Sequence, residues 1–267
     1  MTLVRVAPRF RGLVRRVSRA SSEGYGLWRL SMARRAGRRA IEVPGVTVVT
    51  ANWNTLPFLE VLVDAVLRRS PAGTRVLVVD NGSHDGTRQY LSERPDVEGV
   101  LLPLNVGHGL ALDIGIASAR TTTIAILDVD AFPVSDDWLQ EAEAALDSGK
   151  LIVGASFHRS YVHPCFLVAR RQMLLREGPS LRARGRYPKA GRRRLGVFLD
   201  TAEALSQALL VRYGTAAFQT VPITSVDGPG LYGTIFGEVV YHNFHATTGK
   251  DRQAGLDRFR AAAERLA

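Results

Sequence analysis

Between Gly45 and Asp128 the chain repeats one pattern, a short β-branched apolar run ending on a polar or acidic residue and followed by a stretch with helical spacing. Gly45–Ala51 (GVTVVTA) and Arg75–Asp80 (RVLVVD) are near-continuous apolar runs, as strands covered on both faces require. From Pro57 to Arg69, residues Leu59, Leu62, Val63, Val66 and Leu67 fall on one helical face. The turn-rich Asn81–Thr87 leads into a helix ending before Pro95. Val97–Pro103 reads as a third short strand, Gly109–Ala119 as a helix, and Thr123–Leu127 (TIAIL) as a fourth strand closed by Asp128. Strands alternating with helices of this length need crossover connections, which makes an α/β chain with a mostly parallel central sheet and helices on both faces. Ligands of such sheets bind beyond the carboxyl ends of the strands. That rule selects Thr50–Asn52, Asp80–Ser83, Asn105–Gly109 and Asp128–Asp130.

Charge divides the chain differently. The 267 residues carry a formal +10, and residues 1–40 hold all of it, eleven Arg against the single acid Glu23. A second basic cluster between Glu177 and Asp200 comprises Arg182, Arg184, Arg186, Lys189, Arg192, Arg193 and Arg194, and the rest is mildly acidic. The excess therefore belongs to two appendages, which argues against specific nucleic-acid binding by the α/β body. In the first, Phe10, Leu13, Val14 and Val17 share one helical face among arginines, with Pro8 at the first helical position. Such a segment is either a basic amphipathic helix that lies on an anionic membrane or an unstructured arginine-rich leader. The lone Cys165 excludes an intrachain disulfide and a cysteine-rich zinc module. No apolar run approaches the roughly 18 residues of a membrane span, and the start lacks the apolar core of a secretory signal. The expected location is cytoplasmic, peripheral at the inner face of the membrane.

Asp80 and Asp128 each terminate an apolar strand, where a carboxylate reaches the crevice. Helix capping accounts for Ser83 or Asp85 more easily than for Asp80, which lies too early. In Asp128-Val129-Asp130 one carboxylate can serve a ribose hydroxyl while the other ligates a hard divalent cation. The segments VTVVTANWN (46–54), VVDNGSHDGT (78–87), LNVGHGLALDIGIASA (104–119) and LDVDAFPVSDDWL (127–139), in this order, resemble the nucleotide-binding half of family 2 glycosyltransferases, which have the GT-A fold. The resemblance covers residues 45–140 well and the remainder loosely. It implies a basic extension (1–40) and a single GT-A domain (41–267), divided into a nucleotide-sugar-binding half (41–140) and an acceptor half (141–267).

It further implies that Thr50 and Asn52 lie along the nucleotide, Asp80 holds the nucleobase edge, Asn105 and Gly107 stand near the donor, and Asp128 faces the ribose. Asp130 would bind the Mn²⁺ or Mg²⁺ that bridges the diphosphate. The expected activity is a metal-dependent, inverting transfer of a sugar from a nucleotide-sugar donor to a glycan or lipid-linked acceptor. Two positions depart from the family pattern: Asp113 stands where Asn is usual, and Ala131 replaces a frequent third acid.

Inversion needs a base for the acceptor hydroxyl, and the family places it in the second half. Asp200 is the choice, with Glu203 and Asp227 in reserve. Asp200 and Glu203 also read as a capping box before an apolar helix. For a third metal ligand, His242 in VVYHNFHATT is preferred over His245, and imidazole suits Mn²⁺ beside carboxylates. His163 lies near the expected acceptor-side strand, and Cys165 reads as core. The basic segment 182–194 either attracts an anionic acceptor or is a solvated loop. Two other readings stay open. One is a non-catalytic binding module using its basic arms on membrane or nucleic acid. The other, a dinucleotide oxidoreductase, is weaker, because Gly107-His108-Gly109 is followed by Leu112 where the last Gly of G-x-G-x-x-G belongs.

Overall fold

The computed structural model describes residues 8–156, 162–176, 180–183, 199–226, 233–244 and 251–266, with the backbone alone at 8–17 and Arg19. The first half comprises α1 (Pro8–Arg39), β1 (Val43–Asn52), α2 (Leu56–Arg69), β2 (Arg75–Asp80), α3 (Thr87–Glu93), β3 (Val97–Leu101), α4 (His108–Ser118) and β4 (Thr121–Ile126). The second comprises β5 (Ala131–Pro133), α5 (Gln140–Asp147), β6 (Ile152–Ala155), β7 (Leu167–Arg170), α6 (Arg171–Arg176), α7 (Glu203–Tyr213), β8 (Phe218–Val221), β9 (Ile223–Val226), β10 (Thr234–Phe236), β11 (Val240–His242) and α8 (Arg252–Arg265).

The strands form a seven-stranded sheet in the order β3-β2-β1-β4-β7-β6-β8 and a four-stranded sheet in the order β5-β11-β10-β9. In the large sheet β1, β2, β3 and β4 pair in parallel, β7 runs antiparallel to β4 and β6, and β6 pairs in parallel with β8. Side chains alternate across it as the pleat dictates. Val46, Val48, Val76 and Val78 join the core that contains Phe58, Leu62 and Val66 of α2, whereas Val49, Ala51, Leu77 and Val79 join the core that contains Leu110 and Ile114 of α4. The small sheet and α8 extend the α2 side, where the rings of Phe58, Phe132 and Tyr241 all approach Phe259.

Residues 8–39 of the basic extension form one long helix, and its second half lies on α4. Gly26 is buried there, and a Cβ at this position would sit 2.8 Å from Val106 Cβ as well as 2.5 Å from Leu110 Cδ2, so a larger residue would push the helix off α4. Leu30 is buried within the α4-side core. The connection to β1 is also fixed: Arg171, 1% exposed, bonds Glu42 at 2.9 Å and two α4 carbonyls, Ile116 and Ala117. A guanidinium so buried is held only where every donor finds an acceptor.

Candidate functional site

Register brings the strand ends to one edge. Asn52 pairs with Asp80, Asp80 with Leu101, and Val49 with Ile126, so that β4 runs on past Leu127 to Asp128 beside the ends of β1 and β2. A cleft of about 460 Å³ opens there, lined among others by Asn52, Trp53, Asn81, Asn105, His108, Asp128, Asp130, His163, Asp200 and His242. The polar groups come from both halves of the chain. β11 delivers His242 by pairing with β5, in register with Ala131 next to Asp130.

At the floor, Asp128, Asp130 and His242 offer ligand atoms within 4.8 Å of one another. His242 Nε2 lies 3.2 Å from Asp130 Oδ1 and 3.9 Å from Asp128 Oδ2. Two carboxylates and one imidazole form a donor set that suits Mn²⁺ and tolerates Mg²⁺. His242 Nδ1 is buried with no hydrogen-bond partner among the described residues.

Asp128 is the most engaged group. His108 Nε2 lies 2.9 Å from its Oδ1, and His163 Nδ1 is 3.8 Å from its Oδ2. Burial pushes its pKa up, but the His108 hydrogen bond, and the charge that His108, His163 and His242 carry when protonated, outweigh this and hold it well below the usual carboxylate range. The reciprocal effect acts on His108: enclosure lowers it, and the Asp128 hydrogen bond with the charges of Asp128, Asp130 and Asp200 raises it above its ordinary value. His163 goes the other way. Burial, only partly offset by Asp128, lowers it to about 4, so the ring is neutral near pH 7. Its Nδ1 accepts the Cys165 amide at 3.1 Å, which assigns the ring proton to Nε2. Burial and the nearby Asp128 and Asp130 push the Cys165 thiol up, leaving it a neutral core residue.

Asp200 also lines the cleft. Only half of the expected capping box forms: Glu203 Oε2 accepts the Asp200 amide at 2.8 Å, but Asp200 Oδ1 accepts the Thr201 amide rather than a helix donor. The residue preceding α7 is Ala202, at φ +66°.

The remaining expected residues divide. Asn52 and Asn105 line the cleft, each tied into the strand-end loops. Asn52 Nδ2 donates to Thr87 Oγ1 at 2.9 Å, and Asn105 Oδ1 accepts the Gly107 amide at 2.8 Å. Thr50 and Asp80 are fully buried and do not border the cleft. Asp80 Oδ1 accepts the Ser83 amide and Oδ2 accepts Arg88 Nε, both at 3.1 Å, so it shapes the β2–α3 turn that presents Asn81. Gly107, at φ +97°, caps α4 and borders an adjoining groove of about 750 Å³, which shares Trp53, Asn105, His108 and Thr201 with the cleft. The groove's other wall includes Ser18 and Ser22 of α1. Asp227, His245 and the basic segment beyond Ala183 lie outside the described residues.

His108 falls within the selected Asn105–Gly109 segment but sequence alone assigns it no role, and Trp53 lies one residue past the selected Thr50–Asn52. The available signal was position, since both fall in strand-end loops. Asp113 proves to be a tether: its carboxylate accepts the Leu181 amide at 3.1 Å and the Ser180 hydroxyl, holding segment 180–183 on α4.

Residues 47–202, more than half of the chain, match glycosyl transferase family 2. The uncharacterized glycosyltransferase Rv0539 of Mycobacterium tuberculosis is 33% identical over 181 residues, which are 63% of this chain and 80% of that protein. The uncharacterized glycosyltransferase EpsJ of Bacillus subtilis is 27% identical over 131 residues, 46% of this chain but only 38% of its own length. The chain likewise spans 28% of the uncharacterized glycosyltransferase alr2836 of Nostoc. Among solved structures, the mannosyltransferase PcManGT of Pyrobaculum calidifontis, in complex with GDP-Man and Mn²⁺, is similar at a TM-score of 0.50 and 19% identity, covering 79% of this chain and 68% of that one. Glucosyl-3-phosphoglycerate synthase of Mycobacterium tuberculosis, in complex with Mn²⁺ and UDP-glucose, gives 0.50 at 14% identity over 86% and 79%. At these identities the structural likeness establishes the GT-A fold alone. The match over residues 47–202, together with Rv0539, places this chain in glycosyl transferase family 2.

Proposed function

We propose that the protein transfers a sugar from a nucleotide-sugar donor to a hydroxyl of a glycan or lipid-linked acceptor, with inversion at the sugar carbon. The observation that carries this reading is that Asp200, from the second half of the chain, lines the same cleft as the Asp128–Asp130–His242 cluster. Asp130 and His242, with Asp128 within reach of both, would hold Mn²⁺ or Mg²⁺, and such an ion offsets the charge of a departing nucleoside diphosphate. Asn52, Trp53, Asn81 and Asn105 would position the nucleotide, and Asp128 would accept a ribose hydroxyl. The acceptor oxygen attacks the anomeric carbon as the bond to the diphosphate oxygen breaks, and Asp200 takes the acceptor's proton. A lipid-linked acceptor would place the enzyme at a membrane surface, on its cytoplasmic side.

The test is a donor screen across UDP-, GDP- and dTDP-sugars, followed by Asp200→Asn with the best donor. Loss of the base should lower kcat by roughly 10²–10⁴-fold while leaving nucleoside-diphosphate affinity within about twofold. Equal losses in affinity and rate would reduce Asp200 to a structural residue of the α7 turn.

A further inference from the structure

We propose that the solvent-facing side of α1 is a docking surface for an anionic lipid bilayer, with Leu27, Trp28 and Met32 as its apolar centre and Arg35, Arg38 and Arg39 as its charged end. The proposal deepens the lipid-side part of the reading above. Its test reads binding without turnover, so either can fail while the other stands.

The helix has two opposed stripes. Gly26, Leu30 and Gly37 are buried, with Ala33 packed against the α4-side core, at the i, i+4, i+7, i+11 spacing of one face. Trp28, Met32, Arg35 and Arg39 repeat that spacing two residues later, about 200° around the helix, and all four are exposed. Trp28 is 56% exposed, Met32 45% and Leu27 43%, while Ile41, just past the helix, is 87% exposed. Tyr25 lies against Trp28 with ring centroids 5.7 Å apart, so the indole projects from a packed pair.

Apolar side chains of this size flanked by arginine match the two needs of an interfacial helix, insertion at the headgroup boundary and attraction to lipid phosphate. Tryptophan favours that boundary because its ring is amphipathic. A second copy of the chain is a poor occupant, because residues 1–40 carry eleven Arg and one Glu and would face the same excess. Nucleic acid would use the arginines but leaves the Leu27–Trp28–Met32 patch without a partner. No helix among the described residues is long and apolar enough to cross a membrane, so the contact is along the surface. The same helix, through Ser18 and Ser22, borders the groove that opens beside the cleft. Docking would therefore bring that groove close to the bilayer.

The experiment is sedimentation of the full chain with vesicles of phosphatidylcholine alone or mixed with phosphatidylglycerol, at low and high salt. The expected result is partitioning onto the anionic vesicles that weakens with salt and is at least about tenfold lower on phosphatidylcholine alone. Arg35→Gln, Arg38→Gln and Arg39→Gln together should weaken it about a hundredfold, roughly fivefold per charge. Trp28→Ser with Met32→Ser should weaken it about tenfold or more, and Trp28→Phe should retain it. Thermal melting of the arginine variant should match the parent, and that of Trp28→Ser with Met32→Ser should fall only slightly, through loss of the Tyr25–Trp28 contact. Absence of parental binding to anionic vesicles overturns the proposal, and so does unchanged binding in folded variants of either set. Two further outcomes also overturn it: salt-sensitive binding to duplex DNA without vesicle binding, and a dimer that Trp28→Ser dissociates in a chain that ignores vesicles.

Discussion

Replacing Asp113 by Asn, the residue usual at this position in the family, tests whether a buried carboxylate destabilises this fold at neutral pH. Asp113 is 5% exposed, and burial raises its pKa from 3.8 to about 6 against the lowering effect of Ser180, the Leu181 amide, Arg34 and Arg182. A carboxyl whose folded pKa lies above its unfolded value binds more protons when native. Stability therefore falls as pH rises from about 4 to about 6. At 1.36 kcal/mol per unit, ionisation costs about 3 kcal/mol by pH 7. Asparagine removes that cost and still accepts the Leu181 amide, but it gives up part of the second hydrogen bond, about 1 kcal/mol. The variant should thus be slightly less stable than the parent near pH 4 and about 2 kcal/mol more stable near pH 7, a gain of about 4–8 °C in Tm. Urea unfolding of both proteins at intervals across this range measures the difference, in which other titrations cancel. A difference independent of pH, or a variant less stable at pH 7, would refute the reasoning.

Other outcomes are equally specific. Asp130→Asn removes one of the three clustered ligands and should abolish stimulation of nucleotide binding by Mn²⁺, lowering turnover by at least about a hundredfold; calorimetry with and without chelator measures the first. Asp85 accepts the Leu56 amide at 2.9 Å and the Thr87 hydroxyl at 2.6 Å. Burial raises its pKa, but these bonds prevail and lower it, so its contribution is present above about pH 4 and lost as pH falls through the depressed value. Asp85→Ala should cost about 1 kcal/mol at pH 7, and the gap between the two unfolding curves should close in acid.

What could be read from sequence follows from what each element must satisfy. β1, β2 and β4 are buried on both faces, so their runs are apolar throughout, and a sheet of this kind puts its ligands at predictable ends. Asp128, Asp130, Asn52 and Asn105, selected by that argument, line the cleft. The same argument placed Thr50 and Asp80 too far into the opening, because a residue at a strand end can turn inward, and nothing local shows that Asp80 is claimed by Ser83 and Arg88. β8 to β11 are three or four residues each, too short for alternation to register. The docking of α1 was hidden for another reason. Its buried stripe relies on glycines and one leucine within an arginine-rich stretch, whereas an apolar-stripe search settles on residues 10–17.

Asp113 fixes Leu181, and the Leu181 carbonyl accepts the Ala202 amide at 3.0 Å, so the chain leaves and re-enters the cleft wall at nearly one point. Whatever intervenes between Ala183 and Leu199 is spliced into a frame that does not depend on its length. Lengthening a closed excursion costs little, about 0.6 kcal/mol per doubling. The basic stretch can therefore diverge, or be exchanged for that of a relative, without moving the carboxylates on either side. Length and charge between these two anchors are free to vary while the Asp113–Leu181–Ala202 frame stays in place.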